Sequence, residues 1–258
     1  MTLEGELVSV RERRTLLGVS ISIRSLEALR EGARSAIERR SRLIMACANP
    51  HSLVVAQTDR DFQQALSACD EVVPDGIGVT LACRLAGLGR VPRITGYDVF
   101  QAIMQELQPM GGRVFFFGSS NAVLAQVESR VRQDYPDVHV NALAPPFGNW
   151  RPEEDEMLVR KIRDARPDVL WVAMTAPRQE KWVHANMDRL DIPVIGAIGA
   201  VFDYYAGTVR RAPSWYRQRG LEWLYRLLRE PRRLWRRTLL SAPKFVWLVL
   251  RERLAAGS

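Results

Sequence analysis

The stretch Val72-Val73-Pro74-Asp75-Gly76-Ile77-Gly78-Val79 carries an apolar run, a proline, a carboxylate and two glycines that lead into an amphipathic segment. That order reads as a strand turning sharply into a helix, with one acid held at the turn where a ligand reaches it. In a parallel α/β sheet, such strand-end turns are where ligands bind. Asp75 alone has two readings, because Asp is also a common helix cap. The rest of the chain bears on the choice.

Outward from this turn, apolar runs alternate with helical patterns from about residue 43 to residue 199. The runs are 43–46, 71–73, 114–117, 138–140, 169–173 and 194–196. Several are apolar throughout, as expected of strands buried on both faces. Between them lie amphipathic stretches such as 121–134 and 152–166, and residues 25–40 read as an opening helix. The alternation predicts an α/β fold with a doubly wound, mostly parallel sheet.

At 258 residues the chain is long enough to bury a full core, as one large domain or as a domain with an appendage. Its three cysteines, Cys47, Cys69 and Cys83, lack CxxC spacing and sit in apolar or helical contexts, so they read as reduced, buried thiols. The first residues show no basic-then-apolar order of a signal peptide, and no run approaches the roughly 18 apolar residues of a spanning helix. A cytoplasmic protein is the expectation.

Charge divides the chain. The formal net charge is +8, yet from Val209 onward thirteen Arg and Lys stand against three Glu, so residues 1–208 are slightly acidic. The pattern also changes after Gly207, where helical segments follow one another without strands. Leu221, Leu224, Tyr225 and Leu228 share one side of a helix over 220–230. Pro231 begins or bends a second helix, and Pro243 interrupts a third basic segment. Trp215, Trp223, Trp235 and Trp247 interleave with arginine. Residues 1–208 are thus expected to form the core, and 209–258 a basic, amphipathic helical appendage. Arg-rich, Trp-bearing amphipathic helices suit an anionic membrane surface. The alternative is an ordinary helical subdomain with a solvated basic face. Apolar surface on the appendage is also a route to a homo-oligomer.

Several chemistries find no support. Gly196-Ala197-Ile198-Gly199 lacks the third glycine of a dinucleotide fingerprint, no Walker loop is present, and the three histidines lie far apart. Asp59-Arg60-Asp61 has the look of a metal-holding acidic pair, but it sits inside a helical pattern where helix-end acids are common. Neither metal nor cofactor is expected.

The informative residues recur at strand ends. Asn49-Pro50 follows the first strand and Asp75 the second. Arg93 opens the next helical stretch, residues 176–182 follow the strand at 169–173, and Phe202-Asp203 follows the strand near Ile195. An acid, a cation, an amide and helix N-termini along one sheet edge suit a substrate with a diphosphate and hydroxyls.

The order Asn49-Pro50, Pro74-Asp75-Gly76-Ile77-Gly78, Arg93-Ile94-Thr95-Gly96-Tyr97-Asp98, Ala176-Pro177-Arg178-Gln179-Glu180-Lys181-Trp182, Gly199-Ala200-Val201-Phe202-Asp203, Gly207, Arg211-Ala212-Pro213 and Gly220-Leu221-Glu222-Trp223-Leu224-Tyr225-Arg226 closely resembles the WecG/TagA/CpsF glycosyltransferases, glycosyltransferase family 26. The likeness runs from about residue 18 to beyond residue 237. It implies a Rossmann-like core and an inverting, metal-independent transfer of a sugar from a UDP-sugar donor to a polyprenyl-diphosphate-linked sugar acceptor. The reaction would take place at the inner membrane face, with a C-terminal helical appendage that helps close the active site and contacts the membrane. By motif, Asp75 resembles the general base, Arg93 a diphosphate-stabilising cation, and Asn49 and Gln179 substrate-positioning groups. Cys47, Thr95 and Asp98 fall at substrate-binding positions, and Phe202 and Asp203 lie by the nucleotide base. Arg226 and Arg233, with Arg236 or Arg237, match basic positions that meet phosphates. Cys47 departs from the family, where many members have Thr; a thiol is the weaker hydrogen-bond partner. N-acetylmannosamine, its uronic acid and glucose stay open as donor sugars.

Two other classes remain for comparison. A catalytically silent UDP-sugar-binding scaffold would bind UDP without turnover. A nucleic-acid binder using the Arg/Trp tail would leave the strand-end residues unexplained, and no nucleic-acid partner is expected.

Overall fold

The computed structural model describes residues 13–229, 231 and 241–255. A hairpin of β1 (Arg13–Leu16) and β2 (Val19–Ser22) comes first, followed by α1 (Leu26–Arg39), β3 (Leu43–Ala48), α2 (Pro50–Ala56), α3 (Arg60–Ser67), β4 (Glu71–Pro74), α4 (Ile77–Leu85) and α5 (Gly96–Leu107). The chain continues through β5 (Arg113–Gly118), α6 (Asn121–Asp134), β6 (His139–Leu143), α7 (Pro152–Asp164), β7 (Val169–Ala173), α8 (Arg178–Asn186) and β8 (Val194–Ala197). It ends with α9 (Val201–Ala206), α10 (Ser214–Gln218), α11 (Glu222–Arg229) and α12 (Ser241–Ala255).

Six strands form one parallel sheet in the order β4-β3-β8-β7-β5-β6. All six coincide with the apolar runs of the sequence, and the fold is the doubly wound, Rossmann-like α/β arrangement. Successive strand residues feed opposite layers because side chains alternate across a sheet. Ile44, Phe115, Phe117, Leu170, Val172 and Ile195 pack with α2, α3, α4, α7 and α8. Leu43, Met45, Val114, Phe116, Val169, Trp171 and Val194 pack with α1, α5, α6 and α9. Connections leaving β3 and β5 run in opposite directions, toward β4 and β6, which opens a crevice at the carboxyl ends of the strands between them.

Two features depart from the sequence reading. The β1–β2 hairpin was not anticipated: its strands are short, and its turn uses Leu17 and Gly18, both left-handed at φ 52° and 74°. Leu16, Val19 and Ile21 nevertheless bury fully in the core. Pro243 lies within α12 and does not interrupt its described part. That helix packs on the α/β layer, with Phe245 and Val249 buried in the same cluster as α2 and α4. Farther along it, Glu252 accepts the Leu17 backbone N–H through both carboxylate oxygens, at 3.0 and 3.2 Å. Among the described residues, no helix is long and apolar enough to cross a membrane.

Candidate active site

The Asp75 turn is built by the two glycines that flank Ile77. Gly76 takes φ 93°, a conformation that L side chains resist, and it turns the chain from β4 into α4. Gly78 lets α4 approach α2, since a Cβ there would sit 2.6 Å from Pro50 Cγ. The Asp75 N–H donates to Ala48 O at 2.8 Å, so the acid stands beside the end of β3. Asp75 is not the N-cap of α4; Gly76 occupies that position. The cap reading of Asp75 therefore falls.

Arg93 reaches the same edge by a different route. The N–H of Ile94 donates to Pro74 O at 3.4 Å, which sets Arg93 next to the Asp75 turn. Arg93 is exposed and has no ion-pair partner among the described residues. Thr95 and Asp98 behave differently. They form a capping box at the start of α5, with Asp98 Oδ2 accepting from Thr95 N at 2.9 Å and from Thr95 Oγ1 at 2.7 Å. These bonds hold the start of the helix.

Asn49 likewise caps α2: its Oδ1 accepts from Ser52 N at 3.1 Å, and Ser52 Oγ accepts from Asn49 N at 2.8 Å. Cys47, two residues earlier, packs at the α5 start, where a Cβ on Gly96 would lie 3.1 Å from its Sγ. Burial pushes the Cys47 thiol well above its ordinary range, and the charges of Asp75, Glu180 and Asp98 push it further. Gln179, only 3% exposed, holds the turn after β7: its Oε1 accepts from Met174 N at 3.1 Å and its Nε2 donates to Glu180 Oε1 at 2.8 Å. Its amide is bonded within the protein.

Asp59, the first acid of the suspected metal pair, caps α3 by accepting from Phe62 N at 3.1 Å and pairs with Lys181 Nζ at 2.7 Å. Lys181 holds its carboxyl below the usual range. Among the described residues no group of three His, Cys, Asp or Glu side chains is arranged to hold a metal ion.

Comparison with known proteins decides the class. Residues 14–258 match the model of the Glycosyl transferase WecG/TagA/CpsF family. The chain belongs to this family. It is therefore a glycosyltransferase, and similar proteins carry the name N-acetylglucosaminyldiphosphoundecaprenol N-acetyl-beta-D-mannosaminyltransferase. The Bacillus subtilis (strain 168) protein is 33% identical over 216 residues, 84% of this chain and 82% of its own length. The Bacillus spizizenii protein is 34% identical over 210 residues, covering 81% and 79%. The Staphylococcus aureus (strain MW2) protein is 27% identical over 211 residues, covering 82% and 81%.

In this glycosyltransferase the tail crosses the carboxyl edge of the sheet. Gly220 lies against Ile77, the Arg211 guanidinium lies 4.1 Å from the Tyr97 ring centroid, and Arg226 lies 5.4 Å from the ring of Tyr204 in α9. Arg226 is thus brought to the edge, while Arg233 and Arg236 lie outside the described residues. Phe202 requires a correction. It is 1% exposed and meets Phe116 edge-on at 5.1 Å, so it is a core residue with no face left for a nucleotide base. Asp203 is half-buried, and its carbonyl accepts from Val209 N and Thr208 Oγ1, each at 3.1 Å. Two groups escaped the sequence reading. Glu180, which is buried, and Arg211, which is mostly shielded, both stand in the family motifs, but a charged residue in a polar stretch gives no sign that distant parts of the chain will cover it.

Proposed function

We propose that this glycosyltransferase moves a sugar, with inversion, from a UDP-sugar to a polyprenyl-diphosphate-linked sugar at the cytoplasmic face of the membrane. The named activity of its relatives makes N-acetylmannosamine the favoured donor sugar and an N-acetylglucosaminyl-diphospho-lipid the favoured acceptor. The observation that carries this reading is the backbone bond from Ile94 N to Pro74 O, which sets the Arg93 loop beside the Asp75 turn.

The chemistry follows from that pairing. Asp75 accepts the proton of the acceptor hydroxyl as its oxygen attacks the anomeric carbon of the donor. The glycosidic bond to UDP breaks with its electron pair on the leaving diphosphate. A carboxylate of ordinary strength suffices, because the proton leaves as the new bond forms. Arg93, Arg226 and, in the segment outside the described residues, Arg233 and Arg236 supply positive charge for the leaving group without a metal, each interaction worth a few kcal/mol on the order of measured oxyanion contacts.

Surface chemistry supports a membrane partner for the appendage at 209–258. Trp215, Trp223, Leu228, Trp247, Leu250 and Leu254 are exposed, and Arg219, Arg229 and Arg251 stack near aromatic rings of the same segments. Leu81 and Leu85 of α4, one of the helices on which α12 packs, are exposed as well. Apolar and cationic groups so interleaved match an anionic lipid surface.

The test is transfer from a panel of radiolabelled UDP-sugars to synthetic polyprenyl-diphosphate-linked sugars, with and without EDTA, beside flotation on anionic vesicles. Turnover with one donor, indifferent to EDTA, is expected. UDP binding with no turnover on any pair would favour a silent scaffold, and absence from the floating vesicles would remove the membrane role.

A further inference from the structure

We propose that Arg211 is a positioning residue: a latch that fastens residues 213–229 across the edge bearing Asp75 and so sets Arg226 in place for transfer. Its effect on rate rests on the glycosyltransfer reading above; its effect on the tail does not.

The side chain joins the start of α5, on the edge, to the start of α11, in the tail. Nη2 lies 3.3 Å from Thr95 Oγ1 and 3.4 Å from Asp98 Oδ1, both in the capping box of α5. The guanidinium lies over the Tyr97 ring. Nε lies 3.8 Å from Glu222 Oε1, on the first residue of α11, which also carries Arg226. Arg211, Asp98 and Glu222 are mostly shielded from water, so these contacts are screened less than surface pairs are.

The tail between these anchors behaves as one piece. Trp215 and Tyr216 stack at 3.7 Å, Tyr216 and Tyr225 meet at 5.3 Å, and Arg217 Nε donates to Ala212 O at 3.0 Å. No residue of α10 or α11 is buried, so this piece has little apolar core of its own to hold it down. Its described fastenings are Arg211, the seat of Gly220 on Ile77 and the Arg226–Tyr204 stack. Arg211 also sets a cation beside Asp98 on an edge where Asp75, Asp98 and Glu180 all act on Cys47. A planar fork that bonds and stacks at once is a role lysine cannot reproduce.

The experiment is hydrogen exchange on the full chain without substrate, with steady-state kinetics on the same preparations. The variants are Arg211→Ala, Arg211→Lys and Glu222→Gln. Arg211→Ala is expected to raise exchange across 213–229 at least tenfold, to leave the strand amides unchanged, and to lower kcat tenfold or more with less than a threefold change in donor KM. Arg211→Lys should fall between it and the wild type, and Glu222→Gln should loosen 222–229 more than 213–218. Unchanged exchange at 213–229 in Arg211→Ala overturns the latch, whatever happens to the rate. If Arg211→Ala also opens the strands, the lysine and glutamine variants decide by the same measure. Loosening of the tail by Arg211→Ala, in a protein whose wild type transfers no sugar to any acceptor, would uphold the latch and sink the activity reading instead.

Discussion

Gly220 offers the sharpest perturbation of the tail. It ends α10 in the left-handed region at φ 72°, and Leu221 N donates to Tyr216 O at 2.8 Å across that turn. A Cβ at this position would lie 2.5 Å from Ile77 Cδ1, 2.9 Å from its Cβ and 3.1 Å from its Cγ2. Gly220→Ala therefore carries two costs, about 1–2 kcal/mol for the left-handed backbone and about 1–3 kcal/mol for overpacking. Rotation of Ile77 relieves the contact with Cδ1 but not that with Cβ, which is fixed to the backbone. The sum, about 2–5 kcal/mol, shifts tail docking by roughly thirty-fold to several thousand-fold, at about 1.4 kcal/mol per decade. Hydrogen exchange at 213–229 reads this directly, and transfer activity should fall with it while the melting of the core stays put. Gly220→Asn, which tolerates the left-handed region better, isolates the steric part. Ile77→Ala in the Gly220→Ala background should restore part of the docking. Wild-type protection at 213–229 in Gly220→Ala would refute the view that the tail seats on the Asp75 turn.

Three further expectations follow from the same geometry. Asp75→Asn keeps the shape of the side chain but removes the base, so turnover should drop by about 10²–10⁴ with the melting temperature moved only slightly; wild-type turnover would end the base assignment. Phe202→Ala should cost about 3–5 kcal/mol in urea unfolding, because the ring is buried against Phe116; a raised donor KM with unmoved stability would return Phe202 to the nucleotide site. Burial pushes Cys69 up to about 12 and Cys83 up to about 11 from 9.0, so the unfolded chain loses these protons first. Their contribution to stability is full below pH 9 and falls as pH rises toward 11–12; urea midpoints at pH 8 and pH 10.5 should show the loss, and Cys69→Ala with Cys83→Ala should flatten it.

The edge of the sheet was legible because each of its turns is local. Pro74, Asp75 and Gly76 break a strand within three residues, and Asn49-Pro50 and Thr95 mark helix starts by their own chemistry. What the side chains do there was not legible. Asn49, Thr95 and Asp98 are caps bonded to backbone groups three residues away, and Gln179 turns inward to Glu180. A polar residue at a strand end looks the same in sequence whether it faces a ligand or its own backbone.

The sequence by itself determined the six strands, their alternation with helices and the parallel sheet. Those depend on runs of apolar residues, and a run announces its burial through its neighbours. Only the tertiary structure decided where distant pieces meet. Phe245 and Val249 return to the core, Glu252 bonds Leu17, and Phe202 disappears under Phe116. Arg211 is one arginine among many in a basic tail, and its contact with Thr95 and Asp98 crosses more than a hundred residues. Charge and hydropathy read along a chain carry no record of such a partner, because the partner is chosen by the packing of layers that form first.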